Sequence, residues 1–399
     1  MNDFDFYSPT KFAFGRGTER RTGDLVREFG GTKVLLHFGG GSVKRNGVYD
    51  AVVASLEAAG VAYVPLGGVR PNPRSGLVRE GIELCRREGV DFILAVGGGS
   101  VIDSAKAIAF GTLYEGDFAD YYFGKDVKRP VPVPRALPVG VVLTIAAAGS
   151  EASANSIVNL EPGERKRGAT GDALRPKFAV LNPEFTFTLP PYQTACGLTD
   201  IFAHVAERYF SPTRNVTVTD ELCEAVMRTV VAEGRKVMAD PRDYDARANV
   251  MWAGSVAHNN VCGVGRAQDW SSHGIEHELS ALYDCAHGAG LAVVMPAWME
   301  YVLDTDPERF ARFAERVFGV ASGGDTLQTA REGIRRYRAW LREIGMPLSF
   351  AELGAREGDI PALVANLGLA GGTLGAFRPL ADSDVAAILR LACRPAPEA

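Results

Sequence analysis

Histidine and aspartate side chains fall into two compact patterns in the second half of the chain. Asp200 and His204 are four positions apart, as are His273 and His277, and His287 follows. On a helix this spacing places both members of a pair on one face, one turn apart. One carboxylate with several imidazoles suits Fe(II) or Zn(II), leaves a coordination position open for a substrate, and suits Ca²⁺ or Mg²⁺ poorly. The spacing therefore predicts an iron or zinc site.

The second pattern also matches H-x-x-E-H, the arrangement of one class of metalloproteases, in which Glu276 acts as the general base. Such a short pattern arises by chance in long chains, and this alternative leaves Asp200 and His204 without a role. A serine nucleophile is not indicated, because the sequence contains no G-x-S-x-G. Ser150 is accordingly interpreted as loop polarity.

Two predicted strands each end in three glycines followed by a serine. The residues are Gly39, Gly40, Gly41 and Ser42 in the first loop and Gly97, Gly98, Gly99 and Ser100 in the second. Because glycine has no Cβ, the backbone can turn sharply and bring N–H groups against phosphate oxygens, and a following helix adds its positive end. Ser100 is expected to cap the next helix. Two such loops in one sheet favour a dinucleotide, with the second loop as the better phosphate site.

The first glycine loop also bears on the choice between NAD and NADP. Dinucleotide sites often place a carboxylate on the ribose 2′-hydroxyl at this point. Residues 39–45 contain no carboxylate, whereas Lys44 and Arg45 supply two positive charges. This composition favours a 2′-phosphate, and therefore NADP over NAD.

Strand and helix patterns alternate through the first half of the chain. Strands are predicted at Lys33–Phe38, Val61–Leu66, Phe92–Val96 and Pro138–Thr144, and helices at Val48–Ala59, Ser75–Glu88 and Val101–Phe110. After Pro190 and Pro191 the apolar spacing is almost entirely helical, for example over Ala195–Tyr209, Thr219–Val237, Asp245–Asn260 and Ala330–Ile344. We therefore predict an α/β dinucleotide-binding domain over residues 1–189, with a parallel sheet and flanking helices, and an all-α metal-binding catalytic domain over residues 190–399.

Length and composition agree with this organisation. The 399 residues are 46% hydrophobic and 23% charged, which is typical of a folded chain, and the net charge of −5 argues against nucleic-acid binding. The longest apolar run, near Leu291–Met299, is too short to span a membrane, and no signal peptide is visible. The six cysteines are scattered without a C-x-x-C pair, as expected for reduced thiols in a cytoplasm.

Taken in order, these motifs resemble the iron-containing alcohol dehydrogenase family, most of all its butanol dehydrogenase and aldehyde reductase branch. The resemblance runs from about Tyr7 to about Ala387. It rests on the two glycine loops, on Gly149–Glu151, on Ala195–His204 and on His273–His287. It implies an active site in the cleft between the two domains, and it implies a homodimer.

The resemblance also implies roles for individual residues. The implied metal ligands are Asp200, His204, His273 and His287, and His277 matches a catalytic histidine near the nicotinamide that is not a ligand. The implied cofactor contacts are Gly39, Gly40, Ser42, Gly97, Gly98, Gly99, Ser100, Asp103, Thr144, Ile145 and Lys166. Gly40 stands where NAD-preferring relatives carry an aspartate, in agreement with the charge argument for NADP.

The expected activity is hydride transfer between NADP (or NAD) and an alcohol/aldehyde pair, with Fe²⁺ (or Zn²⁺) as a Lewis acid. His277 is the expected proton relay, because imidazole titrates near neutral pH. Glu276 has no role in this interpretation. The alternative is a cyclase of the dehydroquinate synthase kind, which shares the architecture and uses NAD and a metal. Its anionic substrate needs several Lys or Arg side chains, and the ligand motifs contain none.

Overall fold

The computed structural model describes residues 1–122, 132–161, 165–321 and 323–395. Six parallel strands form one sheet in the order β1-β8-β5-β4-β2-β3, and two further strands, β6 and β7, form an antiparallel pair. The strands are β1 (Lys11–Phe14), β2 (Lys33–Phe38), β3 (Ala62–Leu66), β4 (Phe92–Gly97), β5 (Val139–Leu143), β6 (Asn155–Leu160), β7 (Arg165–Thr170) and β8 (Phe178–Leu181).

Helices cover both faces of the large sheet, as the sequence predicts. They are α1 (Thr22–Glu28), α2 (Ser42–Arg45), α3 (Val48–Ala58), α4 (Ser75–Glu88) and α5 (Gly99–Leu113). Successive residues of a strand point to opposite faces. Leu35 therefore joins the core cluster that contains residues of α4 and α5, whereas Val34 and Leu36 join the cluster that contains residues of α1 and α3.

The turn from β4 into α5 differs from the prediction. The helix begins at Gly99 with Gly98 as its N-cap, so Ser100 lies inside the first turn, and the expectation that Ser100 caps the helix is wrong. The physical reason is space: a Cβ on Gly98 would come within 2.1 Å of Ile145 Cγ2. Only glycine lets the chain turn at this point, and the turn therefore comes before the serine.

Beyond residue 190 every regular element in the described part of the chain is a helix. Proline at the first helical position costs no hydrogen bond, and α6 starts in this way at Pro191. The helices are α6 (Pro191–Tyr209), α7 (Thr217–Ala239), α8 (Tyr244–His258), α9 (Ser271–Tyr283), α10 (His287–Val302), α11 (Pro307–Phe318), α12 (Thr326–Glu343), α13 (Phe350–Leu353), α14 (Ile360–Leu367) and α15 (Asp382–Ala392).

Internal contacts group the chain into two compact units. One, here called the sheet unit, comprises Tyr7–Leu189 together with Pro241–Asn259, so that it includes α8. The other, the helical unit, comprises Met1–Phe6, Pro190–Asp240 and Asn260–Ala399. None of the helices among the described residues has the length and apolar character needed to cross a membrane.

Candidate functional site

Helix α6 presents Asp200 and His204 on one buried face of the helical unit. The two side chains are one turn apart, as their spacing predicts, and Asp200 Oδ1 lies 3.2 Å from His204 Nδ1. Both residues are at most 5% exposed. Asp200 and His204 are therefore adjacent in space, as predicted, and both are buried in the helical unit.

Two further predicted ligands approach the same carboxylate oxygen. His273 is the third residue of α9, and its Nε2 lies 3.8 Å from Asp200 Oδ1. His287 is the first residue of α10, and its Nε2 lies 3.6 Å from the same oxygen. The structure thus brings the four residues that the resemblance implies as metal ligands around a single atom.

The chemistry of this cluster fits a divalent metal. Ligand atoms of Asp200, His204 and His273 all lie within 4.8 Å of one another. Within the described residues, Asp200 Oδ1 and His273 Nε2 are buried without a hydrogen-bond partner. Buried polar atoms are rarely left in this state, because their desolvation is costly. An iron or zinc ion coordinated by these atoms would satisfy them.

Carboxylates also set the electrostatics of His273. Burial acts to lower the pKa of His273, but the neighbouring carboxylates of Asp200 and Glu207 outweigh it and raise the pKa to about 9. The site therefore holds negative charge that favours a cation in its centre. Trp270 packs edge-on against the rings of His204 and His273, at centroid distances of 5.9 and 5.1 Å.

Two glutamates that the sequence analysis left without a role lie directly behind the histidines. Glu207 Oε1 accepts hydrogen bonds from the backbone N and from Nδ1 of His273, and Glu276 contacts His287 Nδ1. A sequence signal for Glu207 existed, because positions 200, 204 and 207 share one helical face. For Glu276 the only signal was its place within the H-x-x-E-H pattern.

His277 belongs to a different group from Asp200. Ligand atoms of Glu276, His277 and His287 lie within 4.8 Å of one another, and the rings of His277 and His287 are 5.6 Å apart between centroids. His277 is half-buried, whereas His273 is only 6% exposed. The two histidines of the H-x-x-E-H pattern therefore have different surroundings.

The predicted phosphate loop lies between β4 and α5 in the sheet unit. A Cβ on Gly99 would come within 2.9 Å of Ala148 Cβ, and the clash of Gly98 with Ile145 is closer still. Thr144 follows β5 and donates its backbone N–H to Gly97 O at 3.1 Å. The first turn of α5 leaves backbone N–H groups directed out of the helix end, which suits a phosphate.

The other predicted cofactor contacts are spread over the sheet unit. Gly39, Gly40 and Ser42 lie at the end of β2 and the start of α2, where a Cβ on Gly40 would meet no atom within 4 Å. Lys44 is exposed, with its Nζ 5.0 Å from the ring centroids of both Phe38 and Tyr49. Lys166 is a buried residue of β7.

Asp103 takes part in a buried polar network beside the predicted phosphate loop. Its carboxylate accepts hydrogen bonds from Ser150 Oγ and from Ile157 N. Lys106, which is 0% exposed, donates to Ser150 O at 2.6 Å and to Asn155 O at 2.8 Å. Burial lowers the pKa of Lys106 to about 8, against the opposing effect of Asp103. Ser150 is thus a structural anchor, in agreement with its interpretation as loop polarity.

Fold and site together define a metal-dependent oxidoreductase that uses a nicotinamide dinucleotide. Residues 9–183 match the family model described as iron-containing alcohol dehydrogenase, and residues 194–393 match the model of the C-terminal part of the Fe-containing alcohol dehydrogenase family. The chain belongs to the iron-containing alcohol dehydrogenase family.

Individual relatives agree with this assignment. The chain is 42% identical to NADH-dependent butanol dehydrogenase A of Clostridium acetobutylicum, over 98% of this chain and 99% of the relative. It is 35% identical to the NADPH-dependent aldehyde reductase YqhD of Escherichia coli, over 92% and 93%. The crystal structure of NADH-dependent butanol dehydrogenase A from Thermotoga maritima superposes with a TM-score of 0.94, at 42% identity and 99% coverage of each chain.

The chain is therefore an NAD(P)-dependent alcohol/aldehyde oxidoreductase of the iron-containing family. The fold class predicted from the sequence is confirmed by the six-stranded parallel sheet, the helical second part and these structural neighbours. The comparisons give no support to the cyclase alternative or to the metalloprotease alternative.

Proposed function

We propose that the enzyme interconverts a small aldehyde and its alcohol with NADP(H) as its preferred cofactor, and that Asp200, His204, His273 and His287 hold the iron. The observation that carries the ligand assignment is the approach of three imidazoles to Asp200 Oδ1, at 3.2, 3.8 and 3.6 Å. One carboxylate and three neutral imidazoles give a divalent cation a site of net positive charge.

When bound, iron supplies Lewis acidity toward a carbonyl oxygen, and the nicotinamide supplies or accepts the hydride. The side chains of the protein orient the reactants, exchange protons with the substrate and exclude water from the site. His277 is half-buried beside His287, where its imidazole can exchange a proton with a substrate oxygen. Burial of Asp200, His204 and His273 keeps water from these side chains and strengthens their electrostatic effect.

We propose that residues 1–189 bind the dinucleotide through the glycine loops and that residues 190–399 supply the metal site. Gly97, Gly98, Gly99 and Ser100 are the proposed pyrophosphate contacts, with Thr144, Ile145, Asp103 and Lys166 beside them. The close approach of Gly98 to Ile145 supports this proposal, because it leaves backbone rather than side chain at the helix end.

The preference for NADP(H) rests on the first loop. Gly40 faces open space, and Lys44 and Arg45 are exposed next to it. Residues 39–45 contain no carboxylate, so no negative charge in this segment would repel a 2′-phosphate. The proposed contacts of this loop are Gly39, Gly40 and Ser42.

We further propose a cytoplasmic homodimer. The family resemblance supports the dimer, and so does the position of β1 at the sheet edge, where Phe14 and Trp252 are 40% and 45% exposed. All six cysteines lie in the described part of the chain as free thiols, which suits a reducing compartment. The molecular mass in solution tests the dimer.

The central experiment follows the near-ultraviolet absorbance of NADPH in the presence of butanal and iron-loaded enzyme. We expect oxidation of NADPH that depends on both aldehyde and metal, with chelator-treated enzyme as the control. A loaded enzyme that leaves NADPH unchanged and cleaves a peptide instead would contradict the proposal.

A further inference from the structure

Glu207 performs two tasks at the start of α9. It extends from α6, one helical turn beyond His204, and it is 0% exposed. Its Oε1 accepts hydrogen bonds from His273 N at 2.8 Å and from His273 Nδ1 at 3.0 Å. The first bond satisfies one of the backbone N–H groups that every helix start leaves open, and the second fixes the imidazole.

Glu276 holds His287 in a similar way. It lies one turn beyond His273 on α9 and is also 0% exposed. One carboxylate oxygen contacts His287 Nδ1, and the other accepts a hydrogen bond from Ser280 Oγ. The carboxylate is thereby fixed from both sides, and the imidazole at the start of α10 is oriented by it.

These contacts determine which ring nitrogen is available to a metal. A neutral imidazole carries one N–H donor and one lone pair. A carboxylate at Nδ1 stabilises the tautomer with the proton on Nδ1, which leaves the lone pair on Nε2. In both His273 and His287 it is Nε2 that faces Asp200 Oδ1. The carboxylate also makes the imidazole a stronger base and therefore a better ligand.

We propose that Glu207 and Glu276 are positioning residues that set the tautomer, the orientation and the metal affinity of His273 and His287. This inference rests on the ligand set proposed above. It gives a role to Glu276, which has none in the dehydrogenase interpretation of the sequence.

The experiment measures the affinity of the metal-free enzyme for Fe(II) by chelator competition under anaerobic conditions. The variants are Glu207→Ala, Glu276→Ala and Glu276→Gln. The matched control is Glu224→Ala, because Glu224 is equally buried in the helical unit but contacts Tyr209 and Arg312 rather than a histidine. Unfolding of each metal-free variant reports its intrinsic stability.

We expect each alanine substitution at Glu207 or Glu276 to weaken metal binding about 10–100-fold, while Glu224→Ala leaves the affinity unchanged. Glu276→Gln keeps an acceptor for His287 Nδ1–H and is expected to recover part of the affinity. In the proton NMR spectrum of the cobalt(II)-loaded enzyme, the exchangeable Nδ1–H signal of His287 is expected to persist in Glu276→Gln and to exchange rapidly in Glu276→Ala.

Wild-type affinity in both alanine variants, or no recovery in Glu276→Gln, would overturn the inference. Should Glu207→Ala fail to fold because α9 loses its cap, the Glu276 variants carry the test. The variants His273→Ala and His287→Ala distinguish failure of the proposed ligand set from failure of the positioning role. If they retain iron, the proposed ligand set is wrong, whereas if they lose iron while both glutamate variants keep it, only the positioning role fails.

Discussion

The glycine loops of the sheet unit and the histidine cluster of the helical unit differ in the chemical groups that they provide. The loops offer backbone, and Gly98 and Gly99 lie so close to Ile145 and Ala148 that a Cβ on either glycine would clash. The cluster offers charged side chains, and each histidine of the α9 and α10 starts is backed by a buried glutamate. In the glycine loops we therefore expect added side-chain atoms to disrupt binding, whereas in the histidine cluster we expect the loss of side-chain atoms to do so.

This contrast makes the two regions separable by experiment. Substitutions in the loops are expected to change dinucleotide binding and leave the metal in place. Substitutions in the cluster are expected to do the reverse.

Removal of a proposed ligand has the largest expected effect. Asp200→Ala, His204→Ala, His273→Ala and His287→Ala are each expected to lose metal and activity together, while NADPH binding largely survives. Loss of several kcal/mol of Lewis-acid stabilisation corresponds to a fall in turnover of roughly 10⁴-fold or more. Elemental analysis and NADPH titration of each purified variant provide the measurements. Full metal occupancy in any variant removes that residue from the ligand set.

His277→Ala is expected to keep its metal and lose rate. A general acid or base is typically worth about 10²–10⁴-fold, and His277 lies beside the proposed ligand His287 rather than beside Asp200. Metal content and turnover are measured on the same preparation. A variant that arrives without metal would favour the protease pattern, as would a Glu276→Ala enzyme that is inactive with its metal intact.

The cofactor preference is expected to depend on the first loop. The wild type should favour NADP(H), because each charge-assisted contact from Lys44 or Arg45 to a 2′-phosphate is worth roughly 1.5–3 kcal/mol. Gly40→Asp should shift the ratio of kcat/KM values toward NAD(H), and the open space at Gly40 accommodates the new side chain. Equal efficiency of the wild type with both cofactors would refute this prediction.

Gly98→Ala tests the backbone side of the contrast. Its Cβ would lie 2.1 Å from Ile145 Cγ2, and relief of such overpacking typically costs about 1–3 kcal/mol. We expect dinucleotide affinity to fall by roughly 5–150-fold with the metal content unchanged. Gly358→Ala is the matched control, because a Cβ there meets no atom within 4 Å. Unaltered NADPH binding in Gly98→Ala would place the pyrophosphate elsewhere.

Local patterns predicted much of the fold, because periodicity and glycine content act within a few residues. The predicted helix at Val48–Ala59 and the observed α3 at Val48–Ala58 differ by one residue, and the strand at Lys33–Phe38 is reproduced without change. By contrast, the four-residue edge strand Lys11–Phe14 was not predicted, since its pairing partner Phe178–Leu181 is far away in sequence.

The sequence was sufficient to predict the pairs of the proposed site that lie four residues apart, but not the contacts that form between different helices. The spacing of Asp200 and His204 is a helical property, and the structure preserves it. The partnership of Glu276 with His287 depends on how α9 meets α10, which spacing does not encode. Lys106 illustrates the same limit, because a lysine on a helix is normally exposed. Here five oxygens from three residues surround its ammonium group.

Helix α8 packs in the sheet unit although it follows α6 and α7 of the helical unit in the chain. The sheet unit includes Pro241–Asn259, and within this unit Phe12 packs on Trp252 while Ser255 Oγ donates to Glu151 at 2.6 Å. During synthesis, residues 1–189 leave the ribosome before the residues of α8 do. The sheet unit therefore completes its packing only after α6 and α7 have emerged, and contacts so distant in sequence slow folding. A fragment that ends at Leu189 lacks α8 and is expected to expose the surface of the sheet unit that α8 covers, so residues 7–189 alone do not form the complete unit.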